Sequence, residues 1–230
     1  APMPVISYRG RIWRAVECAR SNTDIWGKRY SAMIISAPDS ADLLQAASWS
    51  VTDSLPYDST YLDGKFGAWL EGNAVVTPDG NVADLLRVDY APGPEYAALI
   101  RLCDSVSFDP FDPEKDFVRM PGGAKKFTVR YDSLSGRYWS LVNYVTQEWA
   151  GKQNPAWVRN TLALSSSPNL QEWTVHRTVL HHPDIAKHGF QYADWLFDGN
   201  DIVLLSRTAY DDNGTGAHNC HDANYMTFHR

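Results

Sequence analysis

Four glycines, Gly10, Gly80, Gly136 and Gly199, constrain this chain more than any other feature. Each separates two runs of apolar, aromatic or β-branched residues. Val5-Ile6-Ser7-Tyr8 precedes Gly10, and Arg11-Ile12-Trp13-Arg14-Ala15-Val16-Glu17 follows it. Ala74-Val75-Val76-Thr77 leads through Pro78-Asp79-Gly80 to Leu85-Leu86-Arg87-Val88. Phe127-Thr128-Val129-Arg130-Tyr131 and Tyr138-Trp139-Ser140-Leu141-Val142 flank Gly136. Tyr192-Ala193-Asp194-Trp195-Leu196-Phe197 and Ile202-Val203-Leu204-Leu205 flank Gly199. Glycine takes positive φ without a Cβ clash, so Pro-Asp-Gly and Asp-Gly between such runs predict tight hairpins. The glycines lie 70, 56 and 63 residues apart. A period of about 55–70 residues leaves room for four strands in each repeat, which predicts propeller blades lengthened by loops.

A third strand follows in the repeat, and then a short polar turn that ends on tryptophan. Tyr30-Ser31-Ala32-Met33-Ile34-Ile35-Ser36 leads to Ser40-Ala41-Asp42 and Trp49; Thr161-Leu162-Ala163-Leu164-Ser165-Ser166 leads to Ser167-Pro168-Asn169 and Trp173. The expected blades are approximately 1–55, 70–121, 122–182 and 186–230, within one domain, 1–230. The last stops at its third strand, Ala223–Phe228. The expected fold class is all-β, a β-propeller of four-stranded blades, with about four blades of a five- to seven-bladed ring. The ends, Ala1-Pro2-Met3-Pro4 without an initiator Met and Phe228-His229-Arg230, read as cuts through a longer protein.

Composition narrows the function classes. The chain is 44% hydrophobic, enough apolar surface to offset the entropy of ordering, so it reads as folded. Its formal charge of −6 argues against nucleic acid as a partner, which calls for a basic surface. No apolar run approaches the roughly 18 residues of a membrane span, so no membrane insertion is expected. Aromatics at 13%, nine of them Trp, fit short strands and a surface on which sugar rings stack. Three cysteines are too few for a disulfide framework.

Propeller topology tells where chemistry belongs: the residues before each first strand and at the end of each second strand converge. Glu71 and Asn73, Lys125 and Lys126, and His188 with Gln191 stand before first strands. Arg14 and Glu17, Arg87 and Asp89, Asn143 and Tyr144, and Arg207 and Tyr210 stand at second-strand ends. Arg14, Arg87 and Arg207 recur at comparable places, and three guanidinium forks there make a clamp for a carboxylate. Trp26, Trp149 and Trp157 fall in loops on the same face, where sugar stacking and loop anchoring are both open; Trp13, Trp139 and Trp195 fall in strands and read as core.

These residues resemble the sialidase-like propeller superfamily with its Asp-box turns, which includes propeller glycoside hydrolases and ulvan-lyase-like polysaccharide lyases. The resemblance is carried by Met3-Pro4-Val5-Ile6 through Arg11–Glu17, Leu70-Glu71-Gly72-Asn73, Ser107-Phe108-Asp109-Pro110, and Ala217–Tyr225. It implies a secreted or periplasmic location and an acidic oligo- or polysaccharide as partner. A sialidase-like hydrolase needs an acid and a base or nucleophile, available in Glu17, Glu71 and Asp89, or in Tyr144 assisted by one of them. A lyase of uronate-containing polysaccharide needs an Arg on the sugar carboxylate and a His or Tyr to move the C5 proton, for which Arg14, Arg87, His188, His218 and Tyr144 suffice. A non-catalytic glycan-binding propeller would use the same groups without proton transfer. Asn73 joins the three arginines as a substrate-binding candidate.

The tail Ala217-His218-Asn219-Cys220-His221-Asp222 is dense in metal-ligand types. Cys220 and His221, with His188 and Cys18, predict a structural zinc site, since thiolate and imidazole select zinc over oxygen-seeking cations. The preceding Asp211-Asp212-Asn213-Gly214-Thr215-Gly216 loop offers calcium as the alternative. His181-His182 reads as a surface turn before Pro183.

Overall fold

Strand pairing follows the glycine period. The computed structural model describes residues 3–19 and 22–230; the expected start of the first blade at residue 1 lies outside them. The first sheet runs β1 (Val5–Tyr8), β2 (Arg11–Ala19), β3 (Tyr30–Pro38) and β4 (Ser50–Val51) in that order. The second runs β5 (Ala68–Val76), β6 (Val82–Asp89), β7 (Tyr96–Arg101) and β8 (Phe117–Arg119). The third runs β9 (Thr128–Asp132), β10 (Arg137–Asn143), β11 (Thr161–Ser167) and β12 (Thr174–His181). The fourth has three strands among the described residues, β13 (Gly189–Asp198), β14 (Asp201–Ala209) and β15 (Tyr225–His229). The fold class is all-β, and each sheet has the consecutive order of a propeller blade.

The four glycines sit in the four first-to-second strand turns, all at positive φ. At Arg9-Gly10 both residues are left-handed, φ 50° and 70°, the pattern of a two-residue turn whose twist matches its flanking strands. The two polar turns that lead to tryptophan both join third to fourth strands. Asp42 Oδ1 accepts the Leu44 amide at 3.0 Å, and Trp49 Nε1 donates to the Leu43 carbonyl at 3.0 Å. Asn169 Oδ1 accepts the Gln171 and Glu172 amides, and Trp173 Nε1 donates to the Leu170 carbonyl at 3.0 Å. The indole thus closes the turn its sheet needs.

The chain divides into two compact units, Ala1–Asp89 with Ala97–Val118, and Tyr90–Tyr96 with Arg119–Arg230. In the first, Trp13, Ala15 and Ile34 pack on Ala74, Val82 and Leu102. Trp69 is fully buried, stacked on Phe117 at 5.8 Å, and its Nε1 donates to the Pro56 carbonyl at 2.9 Å. In the second, Leu141 and Leu162 pack on Phe190, Ala193, Trp195 and Leu204. The Trp195 indole donates to the Thr128 carbonyl at 3.0 Å, tying β13 to β9. Burial of each large side chain contributes about 1.5–3 kcal/mol, so these facing sheets carry most of each unit's cohesion.

Two first strands carry an extra residue. In β5 the register slips between Trp69 and Gly72, so Leu70 and Glu71 stand opposite the single residue Arg87. In β13 it slips between Gln191 and Asp194, so Tyr192 and Ala193 stand opposite Ser206. Glu71, Asn73 and Gln191 therefore lie inside first strands rather than ahead of them, because β5 and β13 start earlier than the apolar runs alone indicate. On the fourth sheet, Leu196, Leu205, Met226 and Phe228 remain exposed, and β15 forms its last strand among the described residues.

Asp84 breaks the apolar run of β6 and is 1% exposed. Its carboxyl lies over Gly72, where a Cβ would come within 2.1 Å of Oδ1. That oxygen has no hydrogen-bond partner. Burial pushes the Asp84 carboxyl well above its ordinary value, against the Asn73 amide that favours the charged form. The folded chain then holds the proton more tightly than the unfolded chain, so Asp84's contribution is full below the unfolded value near 3.8 and is lost as pH rises through the folded one. Asp84→Asn is expected to flatten this fall: the difference in melting temperature between variant and parent should grow in the variant's favour from pH 4 upward.

Candidate functional site

The bulge in β5 builds the first unit's cluster. Facing two residues with one, Arg87 of β6 pairs with Glu71: its Nη1 donates to Glu71 Oε2 at 3.1 Å, with both side chains under 10% exposed. Glu17, near the end of β2, lies within reach of this pair. Burial raises the Glu17 carboxyl above its ordinary value, the Glu71 charge raises it further, and Arg87 opposes both. Asp89 is raised by burial, with Arg87 again opposing. The carboxylates thus differ in kind: Glu71 is anchored to a cation, whereas Glu17 is held toward its protonated form. Asn73 is buried and its Nδ2 donates to the Leu85 carbonyl at 3.3 Å, across the same ladder. Arg14 is half-buried, and its Nε has no hydrogen-bond partner.

The bulge in β13 builds the second unit's cluster in the same manner. Tyr192 adopts φ 52°, a conformation side chains rarely take, and it turns its ring between two guanidinium groups. Arg207 lies 4.7 Å from the ring centroid and Arg159 6.0 Å. Arg159 is buried, donating to the Ala156 carbonyl at 2.9 Å and to Gln191 Oε1 at 2.8 Å. Arg207 Nη2 donates to the His221 carbonyl at 3.2 Å. The His221 ring stands 6.2 Å from Tyr192 and 6.2 Å from Trp157, which is 53% exposed. Burial pushes His221 below its ordinary value; its bond to Asp222 opposes this, and Arg159 and Arg207 push it further down. Arg207, a phenol, an imidazole pushed toward its neutral form and an open indole therefore lie together, with the buried Arg159 as a second cation near the phenol ring. That combination suits an anion with an apolar ring face.

The other sequence-derived candidates fall elsewhere. Tyr144, just past β10, lines a separate cavity of about 460 Å³ with Glu95, Met120 and Pro155. Beneath it Lys125, fully buried, is ion-paired with Glu95 and donates to the Pro155 carbonyl at 3.0 Å. Lys126 is buried and donates to Thr128 Oγ1 at 2.7 Å. His218 is exposed, Trp26 is 58% exposed and Trp149 half-buried. Arg14 and Arg87 belong to the first unit and Arg207 to the second.

Of the expected zinc ligands, Cys18 is half-buried in the first unit and the others lie in the second. Cys220 is a buried thiol that donates to the Trp157 carbonyl at 3.3 Å, and burial pushes its pKa up, away from the thiolate a metal needs. The Asp211–Gly216 loop is shaped by its own carboxylate. Asp212 Oδ1 accepts the amides of Gly214, Thr215 and Gly216, which lower its pKa to about 2. His182 is half-buried rather than a bare surface turn, with its ring stacked 3.5 Å from His188.

Sequence reading missed Arg159 and Tyr192. Arg159 lies outside the strand runs, Tyr192 reads only as the first residue of the run before Gly199, and the bulge that aims Tyr192 leaves no mark in the alternation of its strand. The useful signal was position: Arg159 follows Trp157 in a loop already singled out for stacking.

No family model matches the chain, and no curated protein matches it. Solved structures do. A GH32 beta-fructofuranosidase of Bombyx mori aligns with a TM-score of 0.58 at 14% identity, covering 88% of this chain and 39% of that one. A Microbacterium saccharophilum beta-fructofuranosidase variant aligns at 0.57 and 11% identity, covering 96% and 52%. An exo-1,5-alpha-L-arabinanase from a bovine ruminal metagenomic library aligns at 0.55 and 8% identity, covering 97% and 71%. The chain spans about two fifths of the Bombyx protein and about half of the Microbacterium one. The likeness shows the fold, that of the propeller glycoside hydrolases.

The Arg87–Glu71 pair gives a direct test of the first cluster. Arg87→Ala strands the Glu71 charge in a buried place and is expected to destabilise the protein by about 3–5 kcal/mol. The double variant Arg87→Ala with Glu71→Gln should recover much of that loss in denaturant titrations. Equal stability of the single and double variants would reduce the pair to a surface contact.

Proposed function

We propose that this chain forms part of a glycoside hydrolase that acts on an acidic glycan. The observation that carries the reading is the unlike pair of carboxyl groups in the first unit. Glu17, raised by burial and by its neighbour, is the general acid that protonates the glycosidic oxygen. Glu71, paired with Arg87 at 3.1 Å, is the base or nucleophile. The propeller fold shared with fructofuranosidases and an arabinanase supports carbohydrate as the substrate class. The Tyr192–Arg207 pair of the second unit, with Trp157 nearby and the buried Arg159 adding positive charge, supports negatively charged sugars: the Arg207 fork meets a carboxylate and the indole meets the ring face.

A second reading draws on that same cluster. A polysaccharide lyase would use Arg207 to neutralise the uronate carboxylate, and Tyr192 with the neutral His221 to move the C5 proton. His221 held below its ordinary value favours it as a base.

Incubating the full-length protein with acidic and neutral polysaccharides separates these readings. Reducing ends without absorbance near 235 nm mean hydrolysis, and an unsaturated uronate absorbing there means elimination. Saturable binding with neither product means a glycan-binding module. For the hydrolase, Glu17→Gln is expected to lower kcat by about 10²–10⁴-fold. Because the acid must be protonated, parent activity should fall as pH rises through the raised Glu17 value, and the residual activity of Glu17→Gln should lose that limb. An unchanged kcat in Glu17→Gln and Glu71→Gln would remove both residues from the reaction.

A further inference from the structure

The connection from β12 to β13 holds a donor set that the proposed chemistry does not use. One nitrogen each of His182 and His188 and one carboxylate oxygen of Asp184 lie within 4.8 Å of one another. His188 is 4% exposed, stacked on His182 with an interplanar angle of 15°, and both rings meet the Tyr210 ring edge-on. His188 Nδ1 lies 2.7 Å from Asp184 Oδ2, and the Asp184 amide donates to His182 Nδ1 at 3.1 Å. The opposite nitrogen, His188 Nε2, is buried without a hydrogen bond although Asp211 Oδ1 stands 3.3 Å away.

An orphaned nitrogen on a buried imidazole needs a reason, because leaving a buried polar group unpaired costs about 1–3 kcal/mol. The two faces of His188 supply one. With its proton on Nδ1, the ring satisfies Asp184 and leaves Nε2 bare toward a carboxylate. With a cation between Nδ1 and Asp184, the proton moves to Nε2, and Asp211 becomes its acceptor. A ligating histidine that hands its other N–H to a carboxylate is the usual outer support of a metal site. Donor atoms around a tetrahedral zinc with bonds of about 2.0–2.1 Å stand about 3.3 Å apart, inside the 4.8 Å within which these three donor atoms already lie.

We propose that His182, Asp184 and His188 bind a divalent transition-metal ion, zinc by the chemistry of the donors, with Asp211 as the outer partner of His188. Two imidazoles and one carboxylate select zinc over calcium or magnesium, which take all-oxygen shells. Binding replaces the His188–Asp184 hydrogen bond, releases the Asp184 amide from His182 Nδ1 so that this ring has a lone pair for the ion, and tilts the two rings out of their stack. The ion fastens the loop ahead of β13 to the end of β14. These are the two strands that carry Tyr192 and Arg207, so its role is to fix the backbone on which that cluster stands. Neither Cys220 nor His221 belongs to this shell.

The test is calorimetric titration of chelator-stripped protein with zinc chloride, beside melting curves of each metal-free variant. One ion per chain is expected, with a rise in melting temperature. His188→Gln and Asp184→Asn should abolish binding, Asp211→Asn should weaken it about tenfold, and Cys220→Ser and His221→Gln should leave it unchanged. If His188→Gln fails to fold, Asp184→Asn and Asp211→Asn decide, since those side chains are 39% and 76% exposed. No saturable zinc uptake overturns the proposal. So does uptake unchanged in Asp184→Asn, or uptake lost in Cys220→Ser.

Discussion

The extra residue in two first strands is the constraint on which the candidate chemistry depends. A regular ladder alternates side chains between faces, and a single insertion breaks that alternation at one place. In β5 the insertion sets Glu71 against Arg87; in β13 it sets Tyr192 against Arg207. Both strands begin the second sheet of their unit, and in both the second strand supplies the arginine. The cost is visible at Tyr192, whose positive φ persists because buried neighbours hold it: Gln191 bonds Arg159 and the Cys220 carbonyl, and Ala193 packs in the core. Candidate chemistry and backbone strain therefore coincide at Tyr192.

Buried charge is the second organising theme, and it is handled in three ways. Lys125 is matched by Glu95, whose remaining oxygen accepts the Gly122 amide at 2.9 Å. Arg87 is matched by Glu71. Among the described residues Asp84 forms no ion pair, and burial holds it toward its neutral form instead. Pairing costs less than isolation, yet an apolar residue of the same shape would cost less than either. The Glu71–Arg87 pair is thus better understood as fixing the bulge of β5 against β6, and the Glu95–Lys125 pair as fixing the loop ahead of β9, than as adding stability.

The repeat was legible because its cause is local. A hairpin needs a residue that tolerates positive φ, and Gly10, Gly80, Gly136 and Gly199 announce it within a few positions. Third strands and their tryptophan turns were legible for the same reason, as was the short fourth sheet. Glu17, Glu71, Arg87 and Arg207 stand out as candidates through that repeat, since it places strand ends. What stayed hidden rests on register and on distant pairing. A bulge changes which neighbour a side chain meets without changing composition. Glu95 finds Lys125 thirty residues on, and Asp184 finds both its histidines by the path of an irregular loop. One clue was present all the same: Asp84 interrupts Val82-Ala83-Leu85-Leu86, and a carboxylate in such company is seldom accidental.

The outer face of the fourth sheet has a consequence for handling the protein. Leu196, Leu205, Met226 and Phe228 are exposed apolar side chains of this one sheet, and β15 reads Tyr225-Met226-Thr227-Phe228-His229 with no proline in it. A strand of that kind is a template on which another chain can crystallise edge to edge. These four apolar side chains bear on association of this polypeptide beside its net charge of −6, and Met226→Lys or Phe228→Lys is expected to reduce it.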